Sequence, residues 1–212
     1  MPMTRRGQTV LELVIASGIL LTTVTAAITL IVRTTVIGQV SSGKNEALNY
    51  AREGIEVIRM IRDSNWLKID RNVKETDDTL TTWDDSGDTY INVPDAPIPM
   101  LGSHVVYFQP NATEGMWWLR RIAAGAPLKI RLIDTGSGKY STQNMVDGNC
   151  TSATGCTTTR YCRSIVISKP NDELPVDYLL VRSTVSWPAN ATCSAAGFRQ
   201  SVSLSTRLYD WR

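Results

Sequence analysis

The chain has 212 residues, 22 Lys and Arg against 20 Asp and Glu, and a formal net charge of +2. Such a balance excludes the broad basic field by which proteins hold nucleic acid, and the single histidine, His104, excludes a two-histidine metal site. The length allows one domain with a real core beside a membrane segment, and not two.

The first feature along the chain is RRGQTVLELVIASGILLTTVTAAITLIV, Arg5 to Val32. From Leu13 to Val32, 20 residues pass without a charge or a proline. At ~1.5 Å rise per residue, a helix of that length covers ~30 Å, the thickness of a bilayer's hydrocarbon core. The stretch therefore reads as one membrane-spanning helix with Glu12 at its apolar edge. An ionised carboxylate there costs roughly 2.5–3.5 kcal/mol on insertion scales and asks for a partner. A cut after Gly7 would make the α-amine of Gln8 a cation. Within one chain that amine sits at its own helix start, but between two chains staggered along a shared axis it can neutralise the other's Glu12. A secretory signal peptide also opens with arginines and an apolar stretch, and Val24-Thr25-Ala26 offers it a small-residue cleavage site. The run is long for such a signal, however, and leaves Glu12 without a purpose.

G-Q-T-V-L-E-L, preceded by Arg5 and Arg6 and followed by the apolar run, resembles the leader-cleavage motif of type IV prepilins and of the pseudopilins of type II secretion. The resemblance implies that a prepilin peptidase cuts between Gly7 and Gln8 and methylates Gln8, and that Glu12 serves assembly. It implies further partners: other pilin subunits through the filament core, the inner-membrane assembly platform, and the membrane itself before assembly. The protein would span the cytoplasmic membrane once with its head outside and end in an extracellular filament. The family's usual first mature residue is Phe, where this chain has Gln8, and the proline that many pilins carry in mid-helix is absent. Loss of residues 1–7 would leave 20 basic residues against 20 acidic ones, so no nucleic-acid partner is expected. Basic residues flank both ends of the span (Arg5 and Arg6, then Arg33 and Lys44), so orientation rests on the leader motif.

Beyond Val32, residues 33–43 are weak helix formers with Gly38 and Gly43. From Lys44 the pattern tightens. Ala47, Ala51, Ile55, Ile58 and Ile61 form an apolar stripe, and Lys44, Glu46, Arg52, Glu53, Glu56, Arg59 and Arg62 form a solvated face. Asp63-Ser64-Asn65 reads as the helix exit. Residues 67–100 are polar and aperiodic. The acids Asp77, Asp78, Asp84, Asp85 and Asp88 around Gly87 invite a calcium reading, but lack EF-hand spacing and fit a solvated turn better.

Strands are expected at 103–109, 116–123 and 128–133, then, after a polar insert over 134–159, at 161–168, 177–187 and 198–211. Leu179, Val181, Val185 and Trp187 alternate onto one face, as do Val202, Leu204 and Leu208, with Arg199, Ser201, Ser203 and Arg207 opposite. Period two with one polar face means an antiparallel sheet covered on one side, and the 47–61 stripe is its natural cover. The fold expected is α+β and pilin-like: a long N-terminal helix, membrane half then amphipathic half, packed on one face of an antiparallel sheet. Its parts are a leader (1–7), a membrane or filament-core half (8–33), an amphipathic half (34–66) and an extracytoplasmic β-rich head (67–212). The closing V-x-V-x-W, loop and alternating run into LYDWR resemble the last strands of minor pilins and related pseudopilins.

Four cysteines in an exported domain favour disulfides, with three connectivities open, and their spacing lacks a zinc pair. A hairpin between 161–168 and 177–187 puts Cys162 at the same end as the loop holding Cys193. This predicts Cys162–Cys193 and leaves Cys150–Cys156 as a local loop. No catalytic motif is present, so neither enzyme activity nor a cofactor or metal is expected. Arg120 and Arg121 beside Trp117 and Trp118 could stack on single-stranded nucleic acid, but read better as arginines covering partly buried rings. The sequence thus favours a minor pilin. A type II secretion pseudopilin, or a membrane-anchored binding module that does not polymerise, stays open.

Overall fold

The computed structural model describes residues 6–72, 83, 101–110, 115–122, 128–134, 139–143, 156–169, 178–188, 193 and 199–210. It is an α+β fold in which one long N-terminal helix packs on an antiparallel sheet. The order is α1 (Arg6–Asp70), β1 (Gly102–Pro110), β2 (Gly115–Ile122), β3 (Leu128–Asp134), β4 (Lys139–Thr142), β5 (Cys156–Ser168), β6 (Tyr178–Trp187) and β7 (Gln200–Tyr209). The chain divides into two units, Met1–Asn45 and Glu46–Arg212.

In the second unit the stripe behaves as its spacing predicts. Ala47, Ala51, Ile55, Ile58 and Ile61 are all buried, and Tyr50, Val57 and Trp66 join them. Their cover is the inner face of the sheet: Ile165 and Ile167 on β5, Leu179 and Val181 on β6, Leu208 on β7, and Val106 and Leu119 on β1 and β2. Each large aliphatic sealed there contributes ~1.5–3 kcal/mol. At Gly54 helix and sheet approach closely. A Cβ on it would lie 3.1 Å from Ile165 Cδ1, 3.1 Å from Ser183 Oγ and 3.2 Å from Arg163 Cδ.

The sheet is built on β5. One edge of β5 pairs with β6, from Cys162 opposite Ser186 to Ser168 opposite Leu180, and β7 lies beyond β6. The other edge is shared by two hairpins. Ile165–Ile167 pair with β1 of the β1–β2 hairpin, and Cys156–Arg163 pair with β3 of the β3–β4 hairpin across a bulge between Lys129 and Arg131. Gln143 stands at this fork, fully buried. Its N–H donates to Val106 O at 3.2 Å, its Oε1 accepts from Val106 N–H at 3.3 Å, and its Nε2 donates to Leu128 O and Arg163 O at 3.1 and 2.7 Å. One amide side chain thus satisfies the backbone groups that the diverging hairpins leave unpaired.

Three expectations need correction. The helix does not exit at Asp63-Ser64-Asn65 but runs to Asp70. Ser64 Oγ donates back to Met60 O, and Asn65, almost fully buried, reaches Trp83 O, so both polar residues serve the helix instead of ending it. The stop is Asn72, in the left-handed region at φ 55°, which Asn tolerates better than most residues. The span 134–159 is not wholly an insert, because it holds β4 and the first residues of β5, where Thr157, Thr158 and Thr159 are β-branched and strand-prone. Glu53 is half-buried rather than solvated, for a reason found in the sheet below it. The acidic cluster at 77–88 lies outside the described residues.

Candidate functional site

Two regions carry function-bearing chemistry, one in each unit. In the first, every residue from Thr9 to Ser42 is exposed, including Val10 at 62%, Leu13 at 70% and Leu21 at 65%. Contiguous apolar surface on this scale marks a contact with a membrane or another protein. α1 is the one helix among the described residues long and apolar enough to cross a bilayer. Its polar residues are prepared for an apolar medium. Ser17, Thr22, Thr23, Thr25 and Thr29 are the only hydroxyls between Leu13 and Val32, and each donates at 2.7–2.9 Å to a carbonyl three or four residues earlier. Helical backbone and self-satisfied hydroxyls together leave no polar group there asking for water.

Gly7 and Gln8 lie in the first turn of α1, and Glu12 follows exposed on the helix. The four-residue spacing places Gln8 and Glu12 on one side of it. Among the described residues Glu12, a carboxylate at the edge of an apolar run, makes no ion pair.

The second region is a polar seam between helix and sheet. Arg163, wholly buried on β5, donates through Nε to Gln143 Oε1 at 2.8 Å, through Nη1 to Tyr50 O at 2.9 Å, and through Nη2 to Ser141 Oγ at 3.4 Å. Ser141 Oγ in turn donates to Glu53, which explains why that carboxylate faces inward. Burial pulls the guanidinium pKa down, and the Glu53 charge pushes it back up. Nearby, Tyr161 OH donates to Glu46 Oε2 at 2.7 Å and accepts from Arg160, while Tyr50 OH reaches Glu46 Oε1 at 3.4 Å. Burial, followed by Glu46, raises both phenols above their usual pKa. The seam ties the helix residues Glu46, Tyr50 and Glu53 to the sheet residues Ser141, Tyr161 and Arg163.

On the opposite face of β5, Cys162 is bonded to Cys193, with Cα atoms 6.0 Å apart and both residues buried. Cys156 is also disulfide-bonded, whereas Cys150 lies outside the described residues. Trp117 packs on the core and meets Phe108 edge-on at 5.2 Å, which uses its ring for packing. Among the described residues, no group of three or more His, Cys, Asp or Glu could hold a metal ion.

The sequence pointed to Glu12 and left Glu46, Tyr50, Glu53 and Arg163 unread as a set. Parity along β5 held the signal, since Arg163 shares its face with Tyr161, Ile165 and Ile167. A long apolar N-terminal helix followed by an antiparallel sheet is a pilin-like layout. No protein-family profile, curated protein or solved structure matches the chain.

Proposed function

We propose that the chain is a structural subunit of a type IV pilus or pilus-like filament, in the manner of a minor pilin, and that its work is assembly, not catalysis. The observation that carries this reading is the division of α1. One part is wholly exposed and apolar with a single carboxylate near its start, and the other is sealed onto a sheet. A bilayer covers the first part before assembly, and neighbouring copies cover it afterwards. Prepilin peptidase frees the Gln8 amine, which is then methylated, and the amine meets Glu12 of a neighbour where low dielectric strengthens the attraction. The inner-membrane assembly platform is the partner that moves the subunit from one medium to the other. A type II secretion pseudopilin fits the same layout.

The test has two readouts in the native host. N-terminal sequencing should find Gln8 first. Glu12→Leu should insert and be cut as wild type, since it makes the helix more apolar, yet be depleted in sheared filaments normalised to membrane content. An anchor that does not polymerise predicts no loss for Glu12→Leu, and equal recovery would refute the assembly role.

A further inference from the structure

Arg33 and the ten residues after it raise a question that a bilayer does not answer. Glu12 and Arg33 are the only charged residues between Gly7 and Gly43, and they bracket the 20-residue apolar run with opposite signs. That run already fills the ~30 Å of a hydrocarbon core. Apolar surface nevertheless continues past Arg33, with Val36, Ile37 and Val40 at 52%, 66% and 45% exposure. The hydroxyls of Thr34 and Thr35 both donate back to Ile31 O at 2.9 Å, as those within the run do to their own carbonyls. The stretch 34–40 thus carries an apolar face, yet lies beyond the thickness that lipid would cover. Arg33, like Glu12, makes no ion pair among the described residues.

We propose that residues 33–43 form a docking surface for the apolar run of a second copy, parallel and staggered so that Arg33 of one meets Glu12 of the other. This rests on the filament reading above and adds a residue and a geometry to it. Glu12 and Arg33 are 21 residues apart, about 31 Å along the axis and about 60° short of whole turns, so both project from nearly one side of the helix. At that stagger Val36, Ile37 and Val40 of one copy lie level with Ile15, Ala16 and Ile19 of the other, apolar against apolar. A carboxylate has two oxygens, so Glu12 can accept the guanidinium of one neighbour and the Gln8 amine of another. The pair also orients the contact, because a wrong stagger leaves both charges against hydrocarbon.

The experiment uses the full chain in its native host, with sheared filaments as the readout. Arg33→Gln should lower filament recovery by about tenfold at equal membrane content, the scale of one close charge pair. The exchange Glu12→Arg with Arg33→Glu should recover more filament than Glu12→Arg alone, since both lack the amine contact and only the exchange restores the 12–33 pair. Copies carrying Ile15→Cys should cross-link to co-expressed copies carrying Val36→Cys, and neither should cross-link to itself. Full recovery for Arg33→Gln, an exchange no better than Glu12→Arg alone, or filaments without the 15–36 cross-link would each overturn the proposal while leaving the filament reading intact. A wild-type chain that is not cut after Gly7 and yields no filament would overturn both.

Discussion

His104 shows how much one side chain can cost when only half satisfied. It is fully buried, its Nδ1 lies 3.2 Å from Gly102 O, and its Nε2 has no hydrogen-bond partner among the described residues. Burial holds its pKa down to about 4 from the ordinary 6.5, although the Gly102 carbonyl pulls the other way. The unfolded chain therefore binds a proton more readily than the folded one between those values. Stability falls as pH drops from about 6.5 to about 4 and levels off below, by ~3–4 kcal/mol at most. His104→Leu should show a smaller loss of urea midpoint between pH 7 and pH 4.5 than wild type; equal losses would place the acid sensitivity elsewhere. Neither His104 nor Arg163 announced its burial by residue type. Both follow from strand parity, because His104 pairs with Ile165 and Arg163 pairs with Val185, on the face the helix covers. Polarity argues for the surface, and only register says otherwise.

At the scale of elements, the sequence was most legible where a period was long and strong. The stripe from Ala47 to Ile61 and the alternation in β6 and β7 each repeat enough times to define a face. Short or interrupted elements were less legible: four-residue β4 has too few repeats, and Asn65 looked like an exit because nothing local shows that Trp83 accepts from it. Gly54 was equally silent, since a helical glycine reads as a weak point until the sheet is seen beneath it. Its role is closeness, with three side-chain atoms within 3.2 Å of where a Cβ would stand. Gly54→Val should destabilise the head by ~1–3 kcal/mol, the usual cost of overpacking a tight core, despite Val's better helix propensity. An unchanged urea midpoint would show that the sheet can yield there.

For the whole molecule, the two units answer to different solvents: residues 9–42 expose apolar surface throughout, and the rest builds a core of its own. The Cys162–Cys193 bond closes a 31-residue separation and ties the end of β6 back to β5. Replacing both by Ala should cost about 3–4 kcal/mol on the loop-entropy account, read as a lowered urea midpoint. No loss would mean the hairpin is already fixed by pairing alone. Chain order matters here as well. The helix stripe lies near the beginning, whereas its cover comes from β5, β6 and β7, about a hundred residues or more downstream. A ribosome delivers the stripe first and its cover last, and contacts so distant in sequence form slowly. The nascent chain therefore presents Ile55, Ile58 and Ile61 with their cover incomplete until Leu208, the last strand residue of that core, has been made.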